Sequence, residues 1–194
     1  LKQPGSPFPL QRLAQLYRDR DGNLNKLVTD FETRAGKADP EQYAATVTLA
    51  GIYKIDGRGD DAIKTYEKAI ALKNSDPVAL LAFAQLLQDR GDVPAARKRY
   101  EEALALQSAA KDKQQTLQTL MVLALDAKDW AAAKSSHQQY VKLESNASLT
   151  VKAMLANELY ARAEYERAEA EFKDVVAAAQ GGRHENGRRT WGHS

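Results

Sequence analysis

The chain has 194 residues, 43% of them hydrophobic and 28% charged, the ordinary balance of a folded chain that faces water. Its 28 basic and 26 acidic residues leave a net charge of +2. They are mixed along the sequence, which excludes the basic stripe of a nucleic-acid interface. With no cysteine, disulfides, thiol catalysis and thiolate metal sites are excluded, while the compartment stays open between cytoplasm and periplasm. No apolar run approaches the ~20 residues of a membrane-spanning helix. The first residue is Leu1, not Met, which reads as a processed or excised chain.

Residues 1–9 hold three prolines and are expected to be an extended linker. Residues 10–38 carry two apolar stripes, Leu10, Leu13, Leu16, Tyr17 and then Leu24, Leu27, Val28, Phe31, around the turn Asp21-Gly22-Asn23. That pattern predicts a divergent pair of helices. From Asp39 the chain becomes regular. Asp39 suits an N-cap, Pro40 the first helical turn, and Gln42 the return bond of a capping box. Asp76-Pro77 restarts the pattern, as does Asp112 with Gln115.

Residues 39–180 repeat. Gly57 returns as Gly91, Ala62 as Ala96, Tyr66 as Tyr100 and Ala69 as Ala103, each 34 residues on. The period continues with small slips through Ala133 and Ala168. Four units follow, at about 43–76, 77–110, 114–147 and 149–180. A glycine at the middle of a unit permits the left-handed turn that ends one helix and starts the next, so each unit predicts a helix–turn–helix. Lys128 and Ala163 stand where the glycines would be in the last two units. The tail at 181–194, rich in glycine and without apolar period, is expected to be disordered. A period of this kind means small units stacked on one another.

In this frame the chain resembles the tetratricopeptide repeat family. The first helix of each unit has a large apolar residue at its seventh position, Leu49, Phe83, Leu120 and Leu155. A mostly small one follows: Ala50, Ala84, Met121, Ala156. The second helix has Ala62, Ala96, Ala133 and Ala168 where the helices cross, with Tyr66, Tyr100, His137 and Phe172 four residues on. Small residues at a crossing and large ones beside it are what close helix packing requires. The resemblance covers about 140 residues by the same count of positions, and implies an all-α, right-handed superhelical solenoid of antiparallel helix–turn–helix repeats.

The resemblance also implies a concave groove, lined by the first helices, that receives a peptide or helix of a partner protein. Carried over, the groove positions are Val47, Lys54 and Ile55 in the first unit and Leu81, Gln85 and Gln88 in the second. Gln118, Val122 and Leu125 follow in the third, and Asn157 and Tyr160 in the fourth. The chaperone-binding members hold a carboxylate with a clamp of Lys, Arg and Asn along this groove; the corresponding positions here are Val47, Gly51, Leu81, Gln85, Gln118, Val122, Ala153 and Asn157, and no cation is among them.

No catalytic site, metal site or cofactor site is expected. His137 falls on a core position, and His184 and His193 lie in the tail. Arg97-Lys98-Arg99 runs straight into Glu101-Glu102 and reads as a solvated face. The function expected is therefore a non-catalytic scaffold for protein–protein interaction. The alternatives are a docking domain of a larger protein, or self-association into a homodimer through the apolar last helix, at Phe172, Val175, Val176 and Ala179.

Overall fold

The structure is a computed structural model that describes the backbone of residues 7–189 and the side chains of residues 8–180. The described residues form eleven helices and no strand. They fall into two compact units, one ending at Gln107 and the other starting at Ser108.

The first unit holds α1 (Pro7–Asp21), α2 (Asn25–Ala35), α3 (Gln42–Ile55), α4 (Gly59–Leu72), α5 (Pro77–Asp89) and α6 (Val93–Leu106). Pairs α3/α4 and α5/α6 close as hairpins, with Ala62 and Ala96 fully buried where they cross. Large residues fill the flanking space: Leu49, Ile52, Leu80, Phe83 and Tyr66 are all buried. Each such side chain contributes ~1.5–3 kcal/mol of transfer free energy. Consecutive pairs are joined by an aromatic contact, the Tyr66 ring on α4 stacked 6.0 Å from that of Phe83 on α5.

The second unit holds α7 (Ala110–Asp126), α8 (Trp130–Lys142), α9 (Leu149–Lys152), α10 (Met154–Ala161) and α11 (Tyr165–Arg189). Its core is built from Met121, Ala124, Leu125, Ala133, Leu155, Leu159 and Ala168, with Trp130 and Phe172 packed at the margin. The Arg167 guanidinium lies over the Trp130 ring, 4.7 Å from its centroid.

The turns inside the hairpins share one geometry. Gly57 and Gly91 have φ of 79° and 82°, and Lys128 and Ala163 take up the same left-handed conformation at 56° and 61°. In each, the following residue donates back across the helix end: Arg58 to the Tyr53 carbonyl, Asp92 to Leu87, Asp129 to Ala124 and Glu164 to Leu159. This is the Schellman closure, which satisfies carbonyls that the helix end leaves unpaired. Asp92 and Asp129 then cap the next helix, accepting from the amides of Ala95 and Ala132.

Several local expectations shift. Helix α1 begins at Pro7, within the expected linker, because proline is tolerated at a first helical position. The capping box at Asp39 does not form. Asp39 accepts from the Glu41 amide in a turn ahead of α3, and the Gln42 side chain donates to the Ala35 carbonyl at the end of α2. The first helix of the last repeat is broken into α9 and α10 at Ala153. There the buried His137 ring bonds the Val151 carbonyl at 3.0 Å. A carbonyl only accepts, so Nε2 of His137 carries the proton. Helix α11 extends past Gln180 into the stretch expected to be a disordered tail, since adding turns to an anchored helix costs less than nucleating one. Residues 190–194 of that tail lie outside the described residues.

Candidate functional site

In the first unit the relevant face is formed by α3 and α5. Lys54 and Asp89 pair across it at 2.6 Å. Asp89 also accepts from the Gln85 amide at 2.8 Å. Partial burial opposes ionisation of Asp89, but the bonds from Lys54 and Gln85 and the Lys54 charge outweigh it and hold the carboxyl below its ordinary value. Behind the face, the Tyr100 hydroxyl donates to the carbonyl oxygens of Gln88 at 3.1 Å and Gln85 at 3.3 Å. Burial, with the Asp89 charge adding to it, pushes this phenol up to about 12. Gln85 stays exposed, with Leu81, Gln88 and Ile55 half-buried around it.

Val47 does not belong to this surface. It is fully buried, on a helix that α1 and α2 both pack against. Leu10 of α1 is seated so close to Gly51 of α3 that a Cβ on the glycine would meet it at 2.5 Å. Arg18 of α1 donates to the Ile55 carbonyl at 2.8 Å. The N-terminal pair is therefore not a simple hairpin: α1 packs mainly on α3, while α2 packs on α3 through Leu27, Val28 and Phe31 and a 2.6 Å bond from Tyr53 to Glu32. Burial first, and then that bond, push the Tyr53 phenol up to about 12.

In the second unit the corresponding face lies on α7 and α10. Gln118, Asn157 and Tyr160 are exposed and Val122 is half-buried. Leu125 is buried in the core cluster with Leu155 and Leu159 of α10, so it serves the packing of successive first helices and offers no surface. An ion pair again ties the helix ends, Arg162 to Asp126 at 2.8 Å, with Glu158 as a second partner. The bond to Asp126 comes first among the effects that raise the guanidinium above its ordinary value, followed by the bond to Glu158 and the charges of both carboxylates.

Two of the four residues expected to mediate self-association, Phe172 and Val176, line an open apolar hollow of about 500 Å³ on α10 and α11. Phe172 is half-buried in it and Val176 is 54% exposed, with Tyr160 and Tyr165 in edge contact at its rim. Val175 and Ala179 are half-buried on the same helix and do not line the hollow. A second hollow of about 520 Å³ on α1, lined by Leu13, Leu16, Tyr17, Asp19 and Arg20, is absent from the sequence reading. Among the described residues, no three His, Asp or Glu side chains gather as a metal ion requires, and no helix is long and apolar enough to cross a membrane.

No family model matches the chain. A 106-residue stretch, 53% of the chain, is 36% identical to the cytochrome c-type biogenesis protein CycH of Rhizobium meliloti (strain 1021) and spans 28% of that protein. Among solved structures, a Podosopora anserina kinesin light chain protein with nearly identical TPR-like repeats superposes with a TM-score of 0.62. The two are 18% identical over 91% of this chain and 96% of the other. A tetratricopeptide repeat protein of Parabacteroides merdae gives 0.61 at 18% identity, covering 90% of this chain and 67% of the other. MamA gives 0.57 at 14% identity over 86% and 95%. The fold is thus the all-α helical-repeat fold of tetratricopeptide-like proteins.

Proposed function

We propose that the chain is a protein-interaction scaffold whose first helices present two partner-binding faces, α3 with α5 in one unit and α7 with α10 in the other. One observation carries this reading: each unit exposes side-chain amides beside apolar side chains on the same face, Gln85 with Leu81, and Gln118 and Asn157 with Val122 and Tyr160. Amides can donate to and accept from an extended backbone, while apolar neighbours contribute ~25 cal/mol per Å² of surface they cover. Protein binding is also the use to which tetratricopeptide folds are commonly put, although a shared fold alone does not fix function.

The likeness to a protein named for cytochrome c biogenesis makes a haem-free cytochrome c polypeptide the first partner to try. Titration calorimetry of that polypeptide against the wild type, Leu81→Glu and Val122→Glu tests the proposal. Each charge placed on a face that a partner covers is expected to weaken binding about tenfold or more, with the helical circular dichroism unchanged. Equal affinity in all three proteins would remove the two faces from the binding site. No binding by the wild type would remove cytochrome c as the partner.

A further inference from the structure

The hollow on α1 and the hollow on α10 and α11 are complementary, and the first unit already contains the joint they would make. Helix α1 repeats the pattern of α5: Leu10-x-x-Leu13-Ala14-Gln15-Leu16-Tyr17-x-Asp19-Arg20 against Leu80-x-x-Phe83-Ala84-Gln85-Leu86-Leu87-x-Asp89-Arg90. On α5 three of these residues hold the helix onto the preceding pair. Phe83 stacks on Tyr66, Asp89 pairs with Lys54, and Arg90 pairs with Asp60 at 3.0 Å. Their counterparts on α1, Leu13, Asp19 and Arg20, line the hollow there, beside Leu16, which is 50% exposed where Leu86 is buried.

The opposite half of the joint recurs on α10 and α11. Counting from the crossing alanines, Ala62 and Ala168, Tyr66 corresponds to Phe172, Ile70 to Val176, Lys54 to Tyr160 and Asp60 to Glu166. On α4 the first of these is buried under α5. On α11 the same positions form the open apolar hollow, with the carboxylate of Glu166 exposed in the first turn.

We propose that the chain associates with a second copy of itself head to tail, α1 of one copy seated on α10 and α11 of the next as α5 is seated on α3 and α4. Leu13 and Leu16 cover Phe172 and Val176. Arg20 exchanges its exposed bond to its neighbour Asp21 for Glu166, and Asp19 accepts from the Tyr160 hydroxyl. Every copy carries both halves, so the contact is heterologous and can add further copies. It shares Tyr160 with the α7 and α10 face assigned to partner binding and uses none of the other residues named there; its test reads self-association alone.

Sedimentation velocity over a hundredfold range of concentration tests it on the intact chain, with two variants at exposed positions, Leu16→Glu and Val176→Glu. The wild type is expected to rise in mass above the 21.4 kDa monomer as concentration increases. Each variant alone is expected to associate at least about tenfold more weakly, because a carboxylate would be buried without a partner. An equimolar mixture of the two is expected to form a dimer and nothing larger, since one intact half survives on each. A wild type that stays monomeric, a variant that associates like the wild type, or a mixture no heavier than its parts would each overturn the proposal. A symmetric tail-to-tail dimer, for example, would leave Leu16→Glu unaffected.

Discussion

The two units solve the same problem of helix closure with different residues. In the first, glycines occupy the left-handed turn positions, at Gly57 and Gly91; in the second, Lys128 and Ala163 do. The backbone bonds that close the turns are the same, within 2.8–3.0 Å for the longer-range bond of each. A left-handed non-glycine residue costs ~1–2 kcal/mol. Geometry is therefore dictated by the hairpin packing, with buried Ala133 and Ala168 bringing the helices together, and the turn residue follows even where it is strained. Glycine makes that turn easy, but the packing makes it necessary.

The largest test of the comparison concerns the aromatic ring at equivalent positions. Tyr66 is 3% exposed beneath Phe83, whereas Phe172 is half-buried at an open face. Tyr66→Ala is expected to cost ~3–5 kcal/mol and Phe172→Ala roughly half of that, measured by urea unfolding of dilute protein. Equal costs would mean that the Phe172 ring is covered in solution.

Exchanging the turn residues should act in opposite directions. Gly57→Ala and Gly91→Ala are expected to destabilise, and Lys128→Gly and Ala163→Gly to stabilise, each by about 0.5–1 kcal/mol. Left-handed strain of ~1–2 kcal/mol is partly offset by the ~0.4–1 kcal/mol that glycine costs through the flexibility of the unfolded chain. Melting temperatures of the four variants read the sign directly.

The smallest effect belongs to the ion pairs, which join successive first helices in both units with the charges exchanged, Lys54 to Asp89 and Asp126 to Arg162. Both are partly exposed, so Asp89→Asn is expected to cost less than ~1 kcal/mol at neutral pH. The folded value of Asp89 lies below the ordinary carboxylate range. Its contribution is therefore complete above the unfolded value and lost as pH falls through the lower, folded one. The difference in stability between wild type and Asp89→Asn should persist down to about pH 4, by the ordinary carboxylate range, and vanish below it.

What was legible in the sequence was whatever the repeat itself enforces. The crossing alanines, the turn positions at Lys128 and Ala163 and the core placement of His137 follow from periodicity, because each copy must pack on the next. What escaped was set by neighbours outside a single unit. Val47 has the spacing of a groove residue but is buried on α3, a helix that α1 and α2 both cover. Leu125 has the same spacing and is claimed by Leu155 and Leu159. The break at Ala153 lies beside a carbonyl, that of Val151, bonded by a histidine fourteen positions earlier in the chain. One missed feature was written plainly: the likeness of residues 10–20 to residues 80–90 was available by simple alignment, and it marks α1 as a first helix in its own right.

The packing of Arg167 over Trp130 has a practical consequence. The chain has two tryptophans, and Trp130 is the one within the described residues, inside the second unit. With Trp191→Phe, tryptophan fluorescence becomes a private signal of that unit, while circular dichroism reports the helices of both. Coincident midpoints on unfolding would mean that the repeats melt as one cooperative body; separate midpoints would time the two units individually. The molecule thus carries a built-in optical label for half of its own architecture.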